Sequence, residues 1–269
     1  MTNYQITDTR TPIIIVVGPA TSGKSMIMVR IGKYLHTQGY KIDPDYSYLN
    51  TAKYVEDCNK FMECVNSNNA MPGSVTDLLI QIKDASGTKV AQYLEAPGEV
   101  YFNPANPAAQ PPQYLQQICS GNVPNKKVFI YLLDFDSSVE IHRSFRSDSE
   151  MRGKYADRLI NVFMPLAQPK DKFILLYNKL DKTSYGTTHK IINKPGAELE
   201  ARQNYAHVFN SLKKKILGGF ITYDDFKFMV FSTGSYSDDV DDEGNPIQHY
   251  NISADIYPQL LWKEIIRKL

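Results

Sequence analysis

The feature that most constrains this chain is Gly18-Pro19-Ala20-Thr21-Ser22-Gly23-Lys24-Ser25, a polar turn wedged between two apolar runs of different period. Ahead of it, Ile13-Ile14-Ile15-Val16-Val17 is a continuous β-branched run, the pattern of a strand buried on both faces. Behind it, Ile27, Met28, Ile31 and Leu35 recur at helical spacing. Strand, turn and helix in that order predict an α/β fold with the turn at the carboxyl end of a buried strand.

Two glycines bracketing four residues, followed by Lys and Ser, form the phosphate-loop pattern. Its physics is anion binding by backbone. Glycines let successive N–H groups point inward, and the start of the following helix adds partial positive charge. All eight residues, Gly18, Pro19, Ala20, Thr21, Ser22, Gly23, Lys24 and Ser25, are therefore candidate nucleotide contacts. Lys24 is expected to reach the β- and γ-phosphates, and the Ser25 hydroxyl to ligate Mg²⁺.

Further along, Gly39 to Pro44 reads as a turn, and a helix follows with Tyr48, Ala52, Val55, Met62 and Val65 as its apolar stripe and Phe61 beside it. Leu78 to Lys83 and Thr88 to Leu94 alternate across Asp84-Ala85-Ser86-Gly87, which predicts an antiparallel hairpin. The hairpin ends in Glu95-Ala96-Pro97-Gly98-Glu99, and a Pro-rich loop, a candidate mobile surface, runs from Asn103 to Pro112 before a short helix at Gln113 to Cys119. Val128 to Leu133 is a strand closed by Asp134, and Tyr155 to Met164 mark the next helix. Phe173 to Tyr177 is a strand that delivers Asn178-Lys179-Leu180-Asp181. A helix with the stripe Tyr205, Phe209, Leu212 and Ile216 carries Lys213, Lys214 and Lys215 at its end. The strand Phe226 to Phe231 leads to Ser232-Thr233-Gly234, an acidic loop and a closing helix.

These elements predict a three-layer, doubly wound α/β fold: a mostly parallel sheet with one antiparallel edge strand and helices on both faces. All residues, 1–269, are assigned to one domain, with a helical insertion about 46–66 and loop insertions about 99–126, 182–196 and 235–256. A net charge of +1 provides no field for nucleic acid or anionic membrane. The cysteines Cys58, Cys64 and Cys119 match no zinc or redox spacing, and the polar N-terminus with its five-residue apolar run is expected to be neither a signal peptide nor an anchor. A cytoplasmic protein with reduced thiols is expected. The five histidines show no metal spacing, and Asp239, Asp241, Glu243 and Gly244 lack the distal Glu of a calcium loop, since Tyr250 stands there.

In the order of these motifs the chain resembles a P-loop GTPase of the translation-factor and Ras-like (TRAFAC) class, of the stand-alone prokaryotic type with extended loops. Gly18 to Ser25 matches the phosphate loop, Glu95-Ala96-Pro97-Gly98 stands where the family has Asp-x-x-Gly, Asn178-Lys179-Leu180-Asp181 fits Asn-Lys-x-Asp, and Ser232-Thr233-Gly234 stands where the family has Ser-Ala-x. The resemblance implies GTP/GDP and Mg²⁺ as cofactors, slow hydrolysis of GTP to GDP, a nucleotide-dependent switch, and a protein effector or activator. It implies that Asp181 reads the guanine edge, with Asn178 bracing the loop and the Lys179 stem lying along the base. Ser232 and Thr233 complete the base site. Gly98 contacts the γ-phosphate, Glu95 supports the metal and Glu99 orients water. Ser74 and Thr76 are both candidates for the hydroxyl that completes the metal shell, with Thr76 preferred.

Two competing readings stay open. One is an ATPase or small-molecule kinase in which Asp134 carries the metal. The other is a module that binds GTP without hydrolysing it and recruits a partner. Arg143, Arg146 and Arg152 are candidates for an internal arginine finger, weighed against a solvated loop and helix start.

Overall fold

All five residues of β1 (Ile13–Val17) are buried in the computed structural model of the chain. The structure describes residues 4–67, 69, 71, 77–134, 147–216, 221–240 and 246–269. In chain order β1 is followed by α1 (Lys24–Thr37), β2 (Lys41–Pro44), α2 (Ala52–Asn66), β3 (Leu78–Lys83), β4 (Lys89–Glu95), α3 (Gly98–Tyr101), α4 (Gln113–Cys119) and β5 (Lys127–Asp134). Then come α5 (Asp148–Arg158), β6 (Lys172–Asn178), α6 (Lys194–Asn204), α7 (Ala206–Ser211), β7 (Lys213–Ile216) and β8 (Ile221–Asp224). The chain closes with β9 (Phe226–Val230), β10 (Gly234–Val240), β11 (Pro246–Ile252) and α8 (Ile256–Lys268).

Seven strands form the main sheet in the order β2-β3-β4-β1-β5-β6-β9. The pairs β4·β1, β1·β5, β5·β6 and β6·β9 are parallel, and β3 runs antiparallel to both neighbours. This is the mostly parallel α/β sheet with an antiparallel edge that the residue pattern implies. Connections leave β1 toward β4 on one side and return to β5 on the other. Right-handed crossovers then put α1 and the helices α5 to α7 on opposite faces. Contacts agree, with α1 against α2 and α8 and with α5 and α6 against α7. No described helix is long and apolar enough to cross a membrane.

Several local expectations are corrected. Lys41–Pro44 is a strand within the segment read as a turn. It is an outer strand, where Pro44 forfeits no interior ladder bond and the Lys83–Asp43 ion pair (2.8 Å) ties it to β3. Helix α2 buries Tyr54, Cys58, Phe61 and Val65, a stripe rotated from the expected one, and Val55 is exposed. Amphipathic tyrosine misled the count, because the Tyr54 ring goes inward while its hydroxyl donates to the Asp45 carbonyl at 2.7 Å.

The lysine run is a strand rather than a helix end. The helix breaks at Tyr205 and again after Ser211, and Lys213–Ile216 pairs antiparallel with β8. The acidic stretch after β9 includes the paired strands β10 and β11, with Tyr236 opposite Tyr250. The Pro-rich stretch is held by turns and by Arg158. Its guanidinium donates to the carbonyls of Val100, Tyr101, Pro107 and Ala109.

Phe61 meets α1 where Gly32 leaves room, and a Cβ there would lie 3.8 Å from the ring and 3.1 Å from Val65. The helix read as an insertion is thus part of the core. Phe61→Ala is expected to lower the unfolding free energy by about 3–5 kcal/mol with an unchanged denaturant slope. A loss under about 1 kcal/mol in urea unfolding would show α2 to be appended instead.

Candidate functional site

The phosphate-loop octapeptide connects β1 to α1 at the central strand, beside the point where the sheet's connections change direction. Two of its residues take left-handed backbone, Thr21 at φ 60° and Gly23 at φ 88°. Gly23 suits that conformation, and Thr21 holds it at a cost of order 1 kcal/mol. Gly18 is needed for space, since a Cβ there would lie 2.7 Å from Ser22 Oγ. Inside the curl the Pro19 carbonyl accepts from Ser22 Oγ at 2.7 Å and from Lys24 Nζ at 2.9 Å. No acidic residue stands in the first turn of α1, so the positive end of the helix is not offset from within.

Lys24 is buried and lies over the Tyr101 ring at 6.0 Å. Burial pulls its pKa down to about 8, against the opposing charges of Glu95 and Glu99. Glu95, the last residue of β4, accepts a hydrogen bond from Ser25 Oγ. Burial pushes its carboxyl up to about 7, with Lys24 and the Ser25 hydrogen bond pulling the other way and Asp77 adding to the rise. Its second oxygen, Oε2, is buried with no hydrogen-bond partner among the described residues. A serine hydroxyl beside a carboxylate with a spare oxygen is a hard-oxygen donor set that fits Mg²⁺, which shares its shell with phosphates and water. Among the described residues no group of three or more His, Cys, Asp or Glu is placed to hold a metal alone.

Gly98 presses on the loop itself. A Cβ at Gly98 would lie 2.1 Å from the Ala20 nitrogen and 2.6 Å from the Pro19 carbonyl carbon, so no other residue fits without displacing backbone. Glu99 follows it, exposed at the start of α3.

At the other end stands Asn178, fully buried at the end of β6. Its Nδ2 donates to the Ser22 carbonyl at 2.8 Å, and its Oδ1 has no partner among the described residues. Lys179 takes left-handed backbone at φ 57°. One oxygen of Asp181 accepts from the buried Ser232 hydroxyl. Thr233 follows Ser232, and its carbonyl accepts from Tyr250.

One cavity of about 930 Å³ joins the two ends. Ala20, Thr21, Gly23, Lys24, Ser25, Glu95, Gly98 and Glu99 line one part, and Asn178, Lys179, Asp181 and Thr233 the other. Gly18, Pro19, Ser22 and Ser232 support these residues from behind. The sequence reading did not assign Lys53, Met71, Ser235 or Tyr236 to the site, and it named Gly234 only as the end of the turn after β9; all five line the cavity. No spacing signal marks them: Lys53 stands on α2, Met71 follows that helix, and the others begin β10. The described cavity-lining cations are lysines, Lys24, Lys53, Lys179 and Lys182, and none is an arginine. Thr76 and Ser74 lie outside the described residues, as do Arg143 and Arg146.

No family model and no curated protein matches the chain. Two solved structures to which it is similar are of the S. cerevisiae Ski7 GTPase-like domain. The one bound to GTP is 17% identical over 83% of this chain and 43% of that chain, with a TM-score of 0.43. The one bound to GDP and inorganic phosphate is 16% identical over 97% of this chain and 51% of that chain, with a TM-score of 0.46. The chain thus spans about half the length of the structures it matches.

The Asn178 amide is the direct tie between the two ends of the cavity. Asn178→Ala leaves the Ser22 carbonyl without that donor and is expected to cost about 1–3 kcal/mol of stability. Chemical denaturation measures it, and a change under about 0.3 kcal/mol would show the tie to be dispensable.

Proposed function

We propose that this chain binds a guanine nucleoside di- or triphosphate with Mg²⁺ and hydrolyses the triphosphate, using the nucleotide state as a switch. The observation that carries the reading is the single cavity with an amide curl, Lys24 and Ser25 at one end and the Ser232-braced Asp181 carboxylate at the other. The curl and Lys24 suit phosphates, which need N–H donors and charge. A carboxylate suits guanine, whose N1–H and 2-amino group donate side by side, whereas adenine has no such pair.

Ser25 and Glu95 would hold Mg²⁺, which would neutralise charge on the phosphate oxygens. The protein's own part in hydrolysis is positioning and charge stabilisation by Lys24 and the loop amides, with Glu99 as the group nearest the role of orienting water. Because Gly98 sits against the Ala20 nitrogen, a phosphate seated on that amide displaces the Pro97-Gly98 segment. That displacement supplies the switch, and a protein effector or activator would read it. The chain is proposed to be cytoplasmic.

GTP is expected to bind at least tenfold more tightly than ATP, with the preference lost in Asp181→Ala. Equal calorimetric affinities in the parent protein would remove the guanine assignment. Lys24→Ala is expected to abolish hydrolysis, so parent-rate turnover in that variant would remove the catalytic one. Glu95→Ala is expected to abolish the Mg²⁺ dependence of GTP affinity while Asp134→Ala preserves it. The reverse pattern would move the metal to Asp134.

A further inference from the structure

The wall of the cavity beside Asp181 is built by a hairpin with no counterpart among the motifs of the phosphate loop or the base-reading turn. Gly234, Ser235 and Tyr236 start β10 and line the cavity with Lys179, Asp181 and Lys182. Tyr236 is 41% exposed, so its ring is not used up in the core. Its ring stacks on Tyr250, directly opposite on β11, with centroids 5.4 Å apart and an interplanar angle of 29°. Tyr250 is buried, and its hydroxyl is fixed on the Thr233 carbonyl.

The hairpin is set rigidly. Gly234 takes φ 133°, and a Cβ there would lie 2.3 Å from the Asn251 carbonyl oxygen, so the strands approach closely at the cavity's edge. Just beyond β11, the buried Arg30 of α1 donates to the Ser253 carbonyl at 2.7 Å and to Asp255. The phosphate-loop helix and the end of the hairpin are thereby fastened together. Burial raises the Tyr236 hydroxyl pKa to about 12, with Cys64 and then Asp181 adding to the rise.

A cross-strand tyrosine pair by itself only stabilises a hairpin. Here the buried partner is anchored and the exposed one borders the carboxylate that distinguishes purines by their edge. We propose that Tyr236 is a base-stacking residue of the nucleoside site, its ring backed by Tyr250 and forming the surface against which the purine base lies. The inference rests on the reading that this cavity takes a guanine nucleotide. A flat aromatic face binds any base without reading its edge, so Tyr236 supplies affinity for the base and Asp181 supplies the choice of base.

The test titrates Mg·GDP and inorganic tripolyphosphate, a probe without a base, into the full chain and into Tyr236→Ala, Tyr236→Phe and Tyr236→Trp. Tyr236→Ala is expected to lose GDP affinity roughly tenfold and to keep its tripolyphosphate affinity. Tyr236→Phe is expected to bind GDP as the parent does, and Tyr236→Trp to show indole fluorescence quenched by GDP but not by tripolyphosphate. Parent-like GDP binding by Tyr236→Ala overturns this inference alone. Equal losses for both probes overturn it in favour of a purely structural tyrosine pair. A parent protein that binds tripolyphosphate and not GDP overturns the guanine reading and this inference with it.

Discussion

The site depends on one buried hydrogen bond, from Asn178 Nδ2 to the Ser22 carbonyl. The two loops it joins leave β1 and β6, which are separated in the sheet by β5. Two strand spacings put their roots roughly 10 Å apart, too far for the loops to fix each other by simple neighbour packing. The amide spans the remaining gap because Gly23 carries no side chain, and a Cβ there would lie 2.7 Å from Nδ2. Sheet geometry thus sets the distance between the loop after β1 and the Asp181 carboxylate, and the Asn178 amide fastens the two loops together. A buried amide so placed has little freedom to vary without leaving the Ser22 carbonyl unpaired.

Much of this was legible in the residues because each chemical group follows directly on a strand. The loop after β1, Glu95 at the end of β4, Asn178 to Asp181 from the end of β6 and Ser232-Thr233 after β9 all occur where a parallel sheet gathers its strand ends at one rim. The core strands β1, β5, β6 and β9 were legible as short apolar runs bounded by turn residues. What was not legible came from elements whose structure is set by partners far along the chain. Lys213 to Lys215 form a strand only because β8 pairs with them, and the acidic stretch after β9 becomes a hairpin only when Tyr236 meets Tyr250. In α2 the period was right and the face was wrong, because Tyr54 spends its hydroxyl on Asp45 and buries its ring. The orphan oxygen of Glu95 is likewise invisible until burial around it is known.

Around Gly98 two constraints meet. Its backbone lies on the phosphate loop so closely that a methyl group could not intervene, and the helix it begins ends at Tyr101, whose carbonyl accepts from Arg158. The same guanidinium also holds carbonyls at Val100, Pro107 and Ala109, and burial lowers its pKa. A cation met by four carbonyl dipoles must keep all of them to offset its lost hydration, so the stretch from Val100 to Ala109 is bound to α5 as one body. Movement demanded at Gly98 therefore concentrates in the short link between β4 and α3, or else moves the whole strapped unit on its arginine. A displacement of the kind proposed at Gly98 would thus reach the Pro-rich surface through this strap rather than be lost in a loose loop.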